Sequence, residues 1–198
     1  EATLAAVACA DTVIAVVKRH VPRSFGDSFI HTSQIDLFVE DDPPLIEEHF
    51  AEPNDLECAI GRNCAALIED GACLQMGIGA IPNAVLSQLG SHKNLGVHTE
   101  MFADGVLPLV ESGVINGANK KIDKGKMVST FLMGSHRVYD FIDNNPGVLM
   151  KDVGYTNDPF VIAQNPKVTA INSALQIDLT GQICADSLGT RFYSGVGG

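Results

Sequence analysis

"CLQMGIGAIPNAVL", residues 73–86, decides the fold. A short β-prone apolar run stops at a Gly-x-Gly turn, and a helical pattern begins at Pro82, a residue suited to a first helical position because its missing N–H costs nothing there. Strand, tight glycine turn and helix N-terminus together make a βα unit. Such a unit brings unsatisfied backbone N–H groups and the positive helix end to one place, which suits a phosphate, a carboxylate or a developing oxyanion. The same spacing also serves a βα turn with no ligand. A dinucleotide fingerprint wants glycine where Pro82 stands, and a P-loop wants Gly-Lys-Ser/Thr, so neither motif is present. Pro82 leaves the Ile81 amide as the last free donor before the helix.

Working outward, the pattern of strand followed by amphipathic helix repeats, which reads as an α/β fold with a mainly parallel open sheet and flanking helices. Downstream, "NLGVH" (94–98) is a second strand leading to Glu100 in "NLGVHTEMFADGV" (94–106). Ligands of parallel α/β sheets collect beyond the carboxyl ends of the strands. If "ACLQM" and "NLGVH" are neighbours, Glu100 and the 77–81 loop share a rim. A carboxylate facing N–H donors can act as a nucleophile, and a solvated or helix-capping glutamate fits the spacing as well. His98, two residues earlier in the same strand, falls on the same face as Glu100.

The remaining chain follows suit. "DTVIAVV" (11–17) reads as a buried strand after an amphipathic helix, and residues 20–55 read as an irregular connector rich in proline and acid. Asp55 caps a helix whose apolar stripe is Leu56, Ile60, Cys64 and Leu67, closed by Gly71. "DGVLPLVESG" and "SHRVYDFIDNN" read as helices, "KMVSTFLM" and "GVLMKDV" as strands, "NDPFVIAQN" as a helix capped by Asp158. A hairpin is expected around Thr180-Gly181.

Composition excludes several function classes. The chain has 198 residues, 45% hydrophobic, with 24 acidic against 13 basic side chains and a formal charge of −11. The one lysine-rich stretch, "NKKIDKGK" (119–126), reads as a solvated turn, so no nucleic-acid partner is expected. No apolar run approaches the roughly 20 residues of a membrane span. The cysteines (Cys9, Cys58, Cys64, Cys73, Cys184) show no ligand spacing and read as reduced thiols, most of them in the core; no metal is expected. Ser194 lacks the first glycine of a nucleophile elbow. His31 is a candidate for the wall of a domain cleft, and His136 reads as surface.

Four segments in order, "GIGAIPNAVL", "GVHTEMFADGV", "INSALQIDLTGQ" and "RFYSGVGG", resemble the acetyl-CoA hydrolase/transferase family, and more narrowly the 4-hydroxybutyrate and butyryl-CoA:acetate CoA-transferases. The resemblance implies a CoA-transferase-like α/β domain with part of a second α/β domain at the N-terminus. On that reading, residues 1–50 are the tail of an N-terminal domain with its linker, and residues 51–198 are a C-terminal domain incomplete at its end. The family members are longer, so the chain is read as a piece of a longer protein. The resemblance makes Glu100 the nucleophile, gives the oxyanion to the Ile81 and Gly198 amides, and sets CoA against Gly77, Ile78, Gly79, Ala80, Ile81, Leu175 and Gly198. It implies transfer of CoA between a short-chain acyl-CoA and a carboxylate such as acetate through a glutamyl-CoA thioester, with coenzyme A as substrate and no permanent cofactor. Acyl-CoA hydrolysis on the same glutamate, and a non-catalytic CoA-binding or assembly fragment, are the alternatives. A homo-oligomer in the cytoplasm, or in mitochondria if the source is eukaryotic, completes the expectation. Lys18 and Arg19 stand where relatives often carry Asn-Pro, a departure that bears on the choice of carboxylate.

Overall fold

The computed structural model describes residues 2–195. In chain order the elements are α1 (Thr3–Cys9), β1 (Ile14–Val17), β2 (Phe25–Gly26), β3 (Leu37–Glu40), α2 (Asp55–Ala65), β4 (Cys73–Met76), α3 (Ala80–Ser87), β5 (Gly96–Val97), β6 (Met101–Phe102), α4 (Leu107–Glu111), β7 (Met127–Ser129), β8 (Phe131–Leu132), α5 (His136–Ile142), β9 (Val148–Met150), α6 (Val153–Thr156), α7 (Pro159–Ile162), β10 (Thr169–Ile171), β11 (Gln176–Ile177), β12 (Ile183–Cys184), β13 (Ser187–Leu188) and β14 (Arg191–Phe192).

The fold is mixed α/β with mainly parallel sheets. Two parallel triplets, β10-β4-β5 and β2-β9-β7, are joined by a parallel bridge between His98 and Val128, so the strands run β10-β4-β5-β7-β9-β2. Registers are Cys73 with Gly96, Leu74 with Val97, and Met127 with Val148. Leu74, Met76, Val97, Val148, Val85, Leu89, Phe102, Val106, Leu107 and Val138 are buried in one core between these strands and α3, α4 and α5. Each such side chain contributes about 1.5–3 kcal/mol by leaving water. Thr180-Gly181 does turn a hairpin, β11 with β12, as the sequence indicates. A second hairpin, β13 with β14, follows around Gly189.

Several local expectations are corrected. The strand in residues 11–17 is not buried: among the described residues β1 pairs only with β3, in parallel, and Ile14, Val16, Leu37 and Phe38 are each more than half exposed. The apolar run was read correctly as a strand, but hydrophobicity alone does not say that a covering layer is present. The connector 20–55 contains β3, and also β2, which pairs with β9. On α2 the buried residues are Gly61 and Ala65, with Cys64 packed partly buried beside them, while Leu56, and Leu67 beyond the helix end, are exposed. Gly61 sets this: a Cβ there would stand 2.6 Å from the Ala84 carbonyl oxygen, so the helix rides directly on α3. The cap is Asn54, in a reciprocal capping box with Glu57, and the helix ends at Ala65, before Gly71. Cys9 is exposed, whereas Cys73 is buried and its thiol is pushed up to about 11 by burial.

The lysine-rich stretch is not wholly solvated. Lys120 is buried, and its Nζ donates to the Val97 (3.0 Å) and Lys126 (2.9 Å) carbonyls, pinning the 119–126 turn to β5. Burial depresses its ammonium pKa.

Candidate active site

β4 and β5 are adjacent and parallel, so the loops that leave them open on one rim. The first is the glycine turn. Gly79 has φ 109° and ψ −175°, a conformation closed to side chains bearing Cβ, and from it α3 starts two residues earlier than the proline suggests, at Ala80. The Ile81 amide has no acceptor among the described residues, since Pro82 donates nothing and the Asn83 amide already bonds to Gly79 O at 3.1 Å. Gly77, Ile78, Gly79, Ala80 and Ile81 are all half-buried at this rim. β10 ends on the same side, and Gly77 N donates to Ile171 O at 2.9 Å. Gln75 and Asn172 exchange amide hydrogen bonds of 3.3 and 2.8 Å across the two strands. Leu175 follows β10 and is partly exposed, its amide bonded to Cys184 O. Gly198 lies outside the described residues.

The second loop carries Glu100, and here the strand does not simply end. β5 breaks at His98–Glu100 and resumes as β6, while β7 breaks at Thr130 and resumes as β8; β6 and β8 pair again in parallel. In the gap the Glu100 carbonyl accepts from the amides of Thr130 (2.9 Å) and Phe131 (3.1 Å), and the Ser129 hydroxyl stands 3.0 Å away. Thr99, buried, ties the gap to β4: its Oγ1 accepts from Met76 N (3.0 Å) and lies 2.9 Å from Met101 O. The Glu100 backbone is therefore fixed from both sides, which a loop glutamate would not be.

The Glu100 side chain is half-buried and belongs to no ion pair among the described residues. Its Oε2 accepts from Asn157 Nδ2 at 3.0 Å, and Oε1 has no partner among the described residues. A neutral amide holding one oxygen fixes the carboxylate and leaves the other free to form a bond. Sequence reasoning missed Asn157, because it sits in the short link between two one-turn helices, α6 and α7, too short to show a period.

His98 is buried and does not touch the Glu100 carboxylate; its Nε2 lies 2.9 Å from the Thr156 carbonyl. On the same rim Asp27, after β2, pairs with Lys151, after β9, at 2.8 Å. A cleft of about 400 Å³ opens beside them, lined by Thr130, Phe131, Met150, Lys151, Asp27 and Ile30, among others. His31 is not at the rim: it caps the turn at Thr32–Gln34 through Nδ1. His136 is on the surface as expected, 3.4 Å from Asp140.

A carboxylate with one free oxygen and helix-end amides that lack acceptors stand on the loops of two adjacent parallel strands, and these are the groups that nucleophilic acyl chemistry with oxyanion support requires. Comparison with known proteins bears on it. Residues 134–198 match the model of the acetyl-CoA hydrolase/transferase C-terminal domain. The chain is 53% identical to the 4-hydroxybutyrate coenzyme A transferase of Clostridium kluyveri, over 99% of this chain and 46% of that protein. It is 51% identical to the succinyl-CoA:acetate/propanoyl-CoA:succinate CoA transferase of Fasciola hepatica, over 100% of this chain and 42% of that one. Among solved structures, the 4-hydroxybutyrate CoA-transferase of Porphyromonas gingivalis superimposes with a TM-score of 0.87 at 45% identity, over 91% of this chain and 46% of that chain. The chain thus spans less than half the length of these relatives.

Proposed function

The chain belongs to the acetyl-CoA hydrolase/transferase family, and from that premise we propose that it is part of a CoA-transferase that moves CoA between a short-chain acyl-CoA and a free carboxylate, with Glu100 as the nucleophile. The observation that carries the reading is the Glu100 carboxylate itself: fixed backbone, one oxygen held by Asn157, the other free, on the rim of the glycine turn.

In the proposed cycle a Glu100 oxygen attacks the thioester carbonyl. The carbonyl electrons go to oxygen, return, and expel CoA thiolate, leaving an acyl-glutamyl anhydride. The thiolate then attacks the glutamyl carbonyl and releases the first acid as its carboxylate, giving a glutamyl-CoA thioester. The acceptor carboxylate repeats the sequence in reverse, leaving as the new acyl-CoA and restoring Glu100. No net proton is consumed. The Ile81 amide, at the positive end of α3, and Gly198 are the oxyanion donors of this reading. Gly77 to Ile81, Leu175 and Gly198 are its CoA contacts, the acceptor-free Ile81 amide being the structural support. The cleft beside Thr130 and Lys151 is where the reading admits the acid.

The same reading takes residues 1–50 as the tail of an N-terminal domain with its linker and 51–198 as the C-terminal domain. The uncovered apolar faces of β1 and β3 support the first part. Assembly of identical chains, a cytoplasmic setting and the lack of a resident cofactor belong to the proposal too; no helix among the described residues is long and apolar enough to cross a membrane.

Hydrolysis by water at the same intermediates is the second reading, favoured only by the family's breadth. The test is made on the full-length protein with butyryl-CoA, with and without acetate. A transferase forms acetyl-CoA only with acetate and releases little free CoA; free CoA at the same rate in both assays would overturn the transfer reading.

A further inference from the structure

α6, Val153–Thr156, is one turn long, and a single turn cannot hold itself, because nucleation fixes several dihedrals for one hydrogen bond. Its position is imposed from outside. Asp152 caps it through Gly154 N (2.8 Å), and the Asp152 amide is tied to Asp27 Oδ2 (3.0 Å). Tyr155 OH donates to Asp123 Oδ2 (2.7 Å). A further tether is His98 to the Thr156 carbonyl, 2.9 Å, and it lies one residue before Asn157, whose amide holds Glu100.

A carbonyl only accepts, so the His98 Nε2 carries the proton and donates it. The ring is buried, packs against Tyr155 at 6.1 Å between centroids, and leaves Nδ1 without a partner among the described residues. The segment 98–100 thus reaches its own nucleophile twice: directly through the backbone of Glu100, and in a loop from His98 through Thr156 and Asn157 back to the Glu100 carboxylate. We propose that His98 is a positioning residue for the Glu100 nucleophile, acting through the Thr156 carbonyl to set the Asn157 amide against Oε2. The proposal rests on the reading of Glu100 as nucleophile. It differs from a purely structural histidine in what it predicts: the step in which Glu100 attacks slows, while binding of acyl-CoA at the glycine turn does not.

The test compares His98→Gln with His98→Asn in the full-length protein. The glutamine amide reaches about as far as imidazole Nε2 and keeps the donor to Thr156; asparagine is a methylene shorter and loses it. The expected result is kcat within about threefold of the parent for His98→Gln and at least about tenfold lower for His98→Asn, with KM for acyl-CoA unchanged in both, since small misplacements of a reacting group act on kcat. Single-turnover acylation of Glu100 should fall in parallel. Any result in which glutamine does not rescue what asparagine loses overturns the proposal, including equal kcat values, equal losses, or effects confined to thermal stability. Glu100→Gln is assayed alongside. If it retains transfer, the nucleophile reading itself has failed; if it is inactive while the two His98 variants match, only the positioning role has.

Discussion

Shortening Glu100 to aspartate removes one methylene and draws the carboxylate back by about 1.5 Å along the side chain. The 3.0 Å contact from Asn157 Nδ2 to Oε2 then opens to roughly 4.5 Å, beyond hydrogen-bond range. A hydrogen bond to a charged group is worth about 1.5–3 kcal/mol, which is one to two powers of ten in rate if it is made in the transition state. Independently, misplacing a reacting atom by about 1 Å costs on the order of 10²-fold. The two estimates describe one displacement and do not add. Glu100→Asp should therefore lose about 10²-fold in kcat for transfer from butyryl-CoA to acetate, and Glu100→Gln, isosteric but not nucleophilic, should fall to background. Because the Glu100 backbone is fixed by Thr130, Phe131 and Ser129, the fold cannot shift to compensate, and melting temperatures of both variants should stay near the parent's. A Glu100→Asp enzyme within about fivefold of the parent would refute the claim that reach and orientation limit this side chain.

Two further outcomes follow from the packing and the buried ring. Gly61→Ala places a Cβ 2.6 Å from the Ala84 carbonyl oxygen and should cost about 1–3 kcal/mol, read as a lower urea midpoint with an unchanged slope; an unchanged midpoint would contradict the direct contact of α2 with α3. Burial holds the His98 pKa below its ordinary 6.5 despite the Thr156 hydrogen bond, so just below that pH the unfolded chain binds a proton that the folded chain refuses. Its contribution is complete above 6.5 and is lost as pH falls toward the folded value. In urea titrations across this range His98→Gln should flatten the acid side of the stability curve, whereas a curve of unchanged shape would mean that the folded ring is not held neutral.

What could be read from the sequence was what is local and periodic. The β4–glycine turn–α3 unit shows itself in fourteen consecutive residues, and the structure meets the condition, left open by the sequence, that β4 and β5 be neighbours. Glu100 was found because it follows an apolar run at the carboxyl end of a strand. Its setting was not legible. The break and resumption of two strands around Glu100 depends on hydrogen bonds to Ser129, Thr130 and Phe131, about thirty residues away. Asn157 is fifty-seven residues from its partner, in the link between two one-turn helices that show no period. The exposed β1 and the buried Lys120 show the opposite failure: composition predicted their environment, and the presence or absence of a packing partner decided otherwise. The α2 stripe held at Cys64, which packs on the core, and failed at Leu56 and Leu67, because a glycine, which carries no hydrophobic signal, marks the contact face.

The central claim is a covalent bond to one named carboxylate. Full-length protein incubated with acyl-CoA, treated with borohydride and digested should yield the Glu100 peptide with its side-chain carboxyl reduced to an alcohol, while protein treated without acyl-CoA yields it unchanged. An enzyme active in transfer whose Glu100 peptide is never modified, or which is reduced at another carboxylate instead, would contradict the account.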